Sequence, residues 1–188
     1  MKIGILALQG AFGVHEEMLQ SLGGSTVQVR TTADLKLVDA LVMPGGESTT
    51  MSYLLETSGL FEPIAERINS AMPVFGTCAG MILLSTSIAD GRPDQRFYGA
   101  IDLDVQRNAY GRQVESFETD LDVDGLQTPF HAMFIRAPQV VRVGPDVEVL
   151  STHEDKVVLA RQGSVMVASF HPELTSDNRI HSLFLQEV

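Results

Sequence analysis

Short apolar runs punctuate this chain, and few of them alternate with polar residues. "IGILAL" (3–8), "VQV" (27–29), "ALVM" (40–43) and "PVF" (73–75) are rich in Ile, Val and Leu. Strands buried on both faces of a parallel sheet read this way. Helical periodicity fills the gaps between them. "GVHEEMLQSLG" (13–23) spaces Val14, Met18, Leu19 and Leu22 for one helix face, and Gly23 is placed to end it. "STTMSYLLETSG" (48–59) begins on Ser48, a candidate N-cap, and stops at Gly59. Pro63 suits the first turn of a further helix. Strand and helix thus alternate through the first half, which predicts a layered α/β sheet.

The pattern changes after residue 100. "AIDLDVQ" (100–106), "FHAMFIRA" (130–137), "VEVLSTH" (147–153), "KVVLARQG" (156–163) and "VMVASF" (165–170) all read as strands. Short turns join several of them, so antiparallel pairing is expected there. "DNRIHSLFLQEV" (177–188) reads as an amphipathic helix, and "DGRPDQRF" (90–97) as a polar surface loop. With no repeat and no linker, the expectation is a single domain over residues 1–188.

Composition narrows the partners. Acidic residues outnumber basic ones 24 to 13, for a formal net charge of −11. Such a surface repels phosphate backbones and anionic membranes, so neither nucleic acid nor membrane is an expected partner. The single cysteine, Cys78, cannot form an internal disulfide, which fits a reducing, cytoplasmic setting. "IGILAL" is too short for a signal peptide, and no run approaches the roughly 18 apolar residues of a membrane span.

Chemistry concentrates around Cys78. Gly76-Thr77-Cys78-Ala79-Gly80 has the form G-x-C-x-G, the cysteine counterpart of the nucleophile elbow. A sharp strand-to-helix turn would expose the sulfur at the carboxyl end of the sheet. The helix expected next, "AGMILLSTSIA", aims its N-terminus at the sulfur, the end where anions are held. The Ala79 N–H lies in its first turn and is available to an oxyanion. A lone cysteine is often just a small buried apolar residue, but a core position needs no glycine on each side.

A cysteine nucleophile needs a base, and the base needs a group to orient it. Of five histidines, His153 and His171 end apparent strands with a carboxylate two residues on. His153, in "STHED", reads as part of a solvated hairpin. His15 precedes Glu17 within a helix, which turns that pair apart. In "SFHPE", Pro172 favours an extended His171. Side chains two apart in an extended segment share a face. Glu173 is thus expected to accept one ring N–H of His171 and leave the other nitrogen for Cys78. "LVMPGGESTT" (41–50) places two glycines between strand and helix without the lysine of a phosphate loop. The reading for that segment is a second oxyanion donor, the N–H of Gly46 or Gly45, against a plain tight turn.

"PGGES", "FGTCAG" and "FHPE", in that order, resemble the signature of triad (class I) glutamine amidotransferases. "LALQGA" (6–11), "PGGESTTM" (44–51), "QRNAYGRQVESFE" (106–118), "FIRAP" (134–138) and "SFHPELTSD" (169–177) narrow the resemblance. They are similar to the glutaminase subunits of pyridoxal 5'-phosphate synthases. The resemblance implies a three-layer α/β sandwich with a mostly parallel central sheet and a nucleophile elbow. It makes Cys78 the nucleophile, His171 the general base and acid, and Glu173 its orienter. It places Gly46, Glu47 and Ser48 in the glutamine-contacting loop, and Arg107, Ile135 and Arg136 in the substrate pocket. It implies L-glutamine as substrate, no metal, no cofactor, and a barrel-shaped synthase subunit that receives the ammonia. Two alternatives stay open: a class I glutaminase serving histidine or purine synthesis, and a non-catalytic regulatory module on the same fold.

Overall fold

The computed structural model describes residues 1–107 and 116–186. The first half builds β1 (Lys2–Leu6), α1 (Phe12–Ser21), β2 (Ser25–Val29), α2 (Thr32–Leu35), β3 (Ala40–Met43), α3 (Ser48–Thr57), α4 (Phe61–Asn69), β4 (Val74–Thr77) and α5 (Ala79–Leu84). The second half adds β5 (Ser85–Ile88), β6 (Ile101–Gln106), β7 (Ser116–Leu121), β8 (Phe130–Ile135), β9 (Gln139–Val143), β10 (Glu148–His153), β11 (Lys156–Gln162), β12 (Val165–Ala168), a short 3-10 turn over Pro172–Leu174, and α6 (Arg179–Leu185).

Seven strands form the central sheet in the order β10-β11-β12-β4-β3-β1-β2. The five from β12 to β2 are parallel, and β10 and β11 add antiparallel pairs at one side. The apolar runs are explained by what lies on each face. Along β3, Leu41 and Met43 pack into one core with residues of α3, α4 and α5, while Ala40 and Val42 enter another with Leu19 of α1 and Phe184 of α6. Both faces are covered along β3, so no polar residue alternates in there, and the three-layer sandwich follows. The antiparallel pair β7–β8 closes over the second core, and β5-β6-β9 form a small sheet of their own. Among the described residues, no helix is long and apolar enough to cross a membrane.

The turn signals behave as the sequence predicts. Gly23 and Gly59 follow α1 and α3 with φ of 80° and 71°, the left-handed conformation that ends helices. Three expectations differ. The helix after Cys78 stops at Leu84, and Ser85–Ile88 is a strand rather than its continuation. The cap of α3 is Glu47, whose carboxylate accepts from the N–H groups of Thr49 and Thr50, so Ser48 is the first helical residue. On α1 the buried stripe runs through His15 and Leu19, and Val14 is exposed.

Candidate active site

Three separate motifs meet because their strands are neighbours. β3, β4 and β12 are adjacent and parallel, with Met43 opposite Gly76 and Ala168 opposite Thr77. Their carboxyl ends therefore lie side by side, where open α/β sheets bind ligands. Pro44-Gly45-Gly46 leaves β3, Cys78 leaves β4, and Ser169-Phe170-His171 leaves β12. Backbone hydrogen bonds fix the juxtaposition. Cys78 N–H donates to Ala168 O at 2.8 Å, and His171 N–H to Met133 O at 2.8 Å.

The elbow at Cys78 is strained, with φ 49° and ψ −101°. A non-glycine residue holds such angles only where the surroundings over-determine them. The flanking glycines supply that fit. A Cβ on Gly80 would lie 2.1 Å from Met43 O, and one on Gly76 would lie 2.7 Å from Gly80 C. Gly45 packs directly on the site: its Cβ would stand 2.4 Å from His171 Cε1. Gly45 O accepts from Ala11 N–H at 3.4 Å. In a trans peptide the Gly46 N–H therefore points away from Ala11.

His171 Nδ1 lies 2.8 Å from Glu173 Oε1. The geometry behind this contact differs from a shared face of extended chain. His171 itself is non-helical (φ −109°, ψ 84°), but the 3-10 turn starting at Pro172 curls Glu173 back under the ring. Burial acts to lower the His171 pKa, yet hydrogen bonds with Cys78 and Glu173 outweigh it and raise the ring to about 10. Burial raises the Glu173 carboxyl, and His171 and His15 more than reverse that, leaving it below the usual range.

A cavity of about 560 Å³ opens over these groups, within the range of small-molecule sites. Cys78 and His171 line it together with Gly46, Glu47, Ser48 and Arg107. Ile135 and Arg136 line it too, Arg136 with φ 45°. Arg107 reaches Thr49 Oγ1 at 2.9 Å and Gln95 Oε1 at 3.3 Å, which braces it between α3 and the 90–97 loop. Ser48 is buried and accepts from Gln95 Nε2. The rest of the "RNAYGRQVE" segment, 108–115, lies outside the described residues.

Several residues around the site are given no role by the motif reading. Gln9, within "LALQGA", lines the cavity and accepts from Glu47 N–H at 3.1 Å. His15 and His181 sit fully buried behind Glu173. A signal existed for His15, since positions 15, 19 and 22 share one helix face.

This topology and this site define a class I glutamine amidotransferase. A solved structure described as a glutamine amidotransferase superposes with a TM-score of 0.93 and 48% identity, covering 98% of this chain and 97% of that one. A glutamine amidotransferase of known structure from Thermotoga maritima shares the fold at a TM-score of 0.63 and 12% identity, covering 100% of this chain and 83% of that one. The SNO glutamine amidotransferase family matches residues 5–188, and the chain belongs to that family. Among its relatives is the pyridoxal 5'-phosphate synthase subunit PdxT of Frankia alni, 53% identical over 188 residues, covering 100% of this chain and 94% of that protein. PdxT of Thermosipho africanus is 52% identical, covering 100% and 99%.

Proposed function

We propose that the chain is the glutaminase subunit of a pyridoxal 5'-phosphate synthase, with Cys78 as nucleophile, His171 as acid and base, and Glu173 as orienter. The observation that carries the catalytic part is Cys78 on a strained elbow beside the His171–Glu173 pair. Full-length similarity to synthase subunits supports this pathway over histidine or purine synthesis.

With its pKa raised to about 10, His171 is an imidazolium at neutral pH. Cys78 attacks as the thiolate, the nucleophilic form of a cysteine. The sulfur adds to the side-chain amide carbon of glutamine. N–H groups of Ala79 and the Gly45–Gly46 loop take the developing oxyanion, each worth roughly 3 kcal/mol in sites of this kind. His171 gives its proton to the departing nitrogen, ammonia leaves, and a thioester remains. The now neutral His171 takes a proton from water, the hydroxide equivalent cleaves the thioester, and glutamate departs. Thiolate and imidazolium are restored, and one water has been consumed per ammonia released. Gly46, Glu47, Ser48, Arg107, Ile135 and Arg136 hold the substrate.

Ammonia in neutral water becomes ammonium, which is no nucleophile. The product is useful only if passed on directly, which supports transfer to a barrel-shaped synthase subunit in a hetero-oligomeric cytoplasmic complex. Docking sets the Gly45–Gly46 peptide and activates Cys78. The test is glutamate release from glutamine, with and without the synthase subunit. Release should rise on adding it and vanish in Cys78→Ala. Unchanged release in Cys78→Ala would sink the nucleophile assignment, and equal rates with and without partner would sink the activation.

A further inference from the structure

The proposed mechanism uses one oxygen of Glu173. The other, Oε2, is buried and forms no well-directed hydrogen bond in the structure. His15 Nε2 faces it from α1 at 3.4 Å, and neither side chain is exposed at all. Nε2 is also 3.2 Å from Oγ1 of Thr77, the residue before the nucleophile. On the far side of the ring, His15 Nδ1 lies 2.9 Å from His181 Nε2 of α6. His181 Nδ1 is buried with no partner.

This pattern selects one arrangement of hydrogens. Burial lowers the His15 pKa against the opposing pull of Glu173, and burial takes His181 down to about 3. Both rings are therefore neutral and carry one hydrogen each. Two nitrogens 2.9 Å apart need one hydrogen between them. Placed on His15 Nδ1, it would turn the Nε2 lone pair towards a carboxylate and leave a buried N–H on His181 Nδ1 without an acceptor. Placed on His181 Nε2, it leaves His15 Nε2 free to donate towards Glu173 and Thr77. Of the four ring nitrogens only His181 Nδ1 is then unpaired, as a lone pair, which costs less than a stranded donor on one ring and repulsion at the other. The 3.4 Å separation is long for a hydrogen bond. Catalytic contacts are often long before substrate binds and tighten afterwards.

We propose that His15 is a positioning residue of the triad: its Nε2–H steadies the second carboxylate oxygen of Glu173, and His181 fixes the tautomer that puts the hydrogen there. The titratable groups facing Glu173 are then His171 on its own segment and His15 from α1, with the Thr77 hydroxyl of β4 and His181 acting through His15. The inference rests on the glutaminase reading for its kinetic consequence, but its tautomers do not depend on catalysis.

Two measurements test it. Long-range proton–nitrogen NMR of the whole protein, between about pH 6 and 8, should show neutral His15 and His181, each protonated on Nε2. A hydrogen on His15 Nδ1, or a charged His15, would overturn the proposal whatever the enzyme does. The second measurement compares His15→Gln, His15→Asn and His15→Phe in the complex with the synthase subunit. A glutamine amide reaches the place of Nε2, and an asparagine amide the place of Nδ1. Asn and Phe should lower kcat by about tenfold to a hundredfold, with KM for glutamine within about twofold. Their acid limb of kcat/KM should move to higher pH, because Glu173 loses an N–H donor that favours its charged form. Gln should restore most of the rate. Equal losses in all three, following Tm, would mean the ring only fills space. If Phe does not fold, the Gln and Asn pair and the spectra still decide.

Discussion

Cys78 helps to hold the charge on His171. The hydrogen bond with Cys78 is the largest influence raising the His171 pKa. Cys78→Ala should therefore bring the His171 titration down from about 10, as followed by the Cε1 proton in NMR; an unmoved midpoint would mean the two side chains do not interact. A raised folded pKa has a defined effect on stability. The contribution is full below the unfolded value near 6.5 and is lost as pH climbs through about 10. Gly45 supplies a sharper test of geometry. Gly45→Ala would drive a Cβ to 2.4 Å from His171 Cε1, and displacing the ring by an ångström should cost about a hundredfold in kcat. The loss should far exceed any fall in Tm. These residues were largely legible in the chain, since glycine spacing and a histidine two before a glutamate are local patterns. The burial of His15 had a helix-face signal, but its pairing with His181 had none, because 166 positions separate two rings that touch.

At the scale of elements, α3 shows how a site loop and a helix cap can be the same residue. Glu47 lines the cavity while its carboxylate accepts from Thr49 N–H at 3.0 Å and Thr50 N–H at 2.7 Å. Replacing it with alanine should cost about 1 kcal/mol, read from the urea midpoint. Burial acts to raise the Glu47 pKa, but bonds from Thr50 and Thr49 outweigh it and lower the net value. Its contribution is thus present above about pH 4.5 and fades as pH falls through the lower folded value. Wild type and Glu47→Ala should then converge in stability in strong acid; a constant gap would speak against the cap. The periodicity gave the existence of α3 correctly and its cap wrongly, since Ser48 and Glu47 are equally placed until the chain direction entering from Gly46 is known. The strand β5 was missed for a related reason. "STSI" continues the helical pattern of "AGMILL", and only pairing with β6 turns it into a strand.

For the molecule as a whole, the order of the sheet matters more than any segment. β12, from the second half, pairs with β4 from the first, so neither half owns a complete site or core. Urea unfolding should accordingly be one transition, coincident by far- and near-ultraviolet circular dichroism. Two separated transitions would show that the halves fold apart and contradict a single domain over 1–188. The chain by itself determined which segments are buried strands, where the sharp turns fall, and which side chains could attack, shuttle protons or orient a ring. Those are matters of local pattern, set by steric limits on the backbone and by the period of apolar residues. Tertiary structure alone decided that the ends of β3, β4 and β12 meet, and that two histidines from opposite ends of the chain line up behind Glu173. Contacts of that separation come from strand order and helix packing, which no short window of residues encodes.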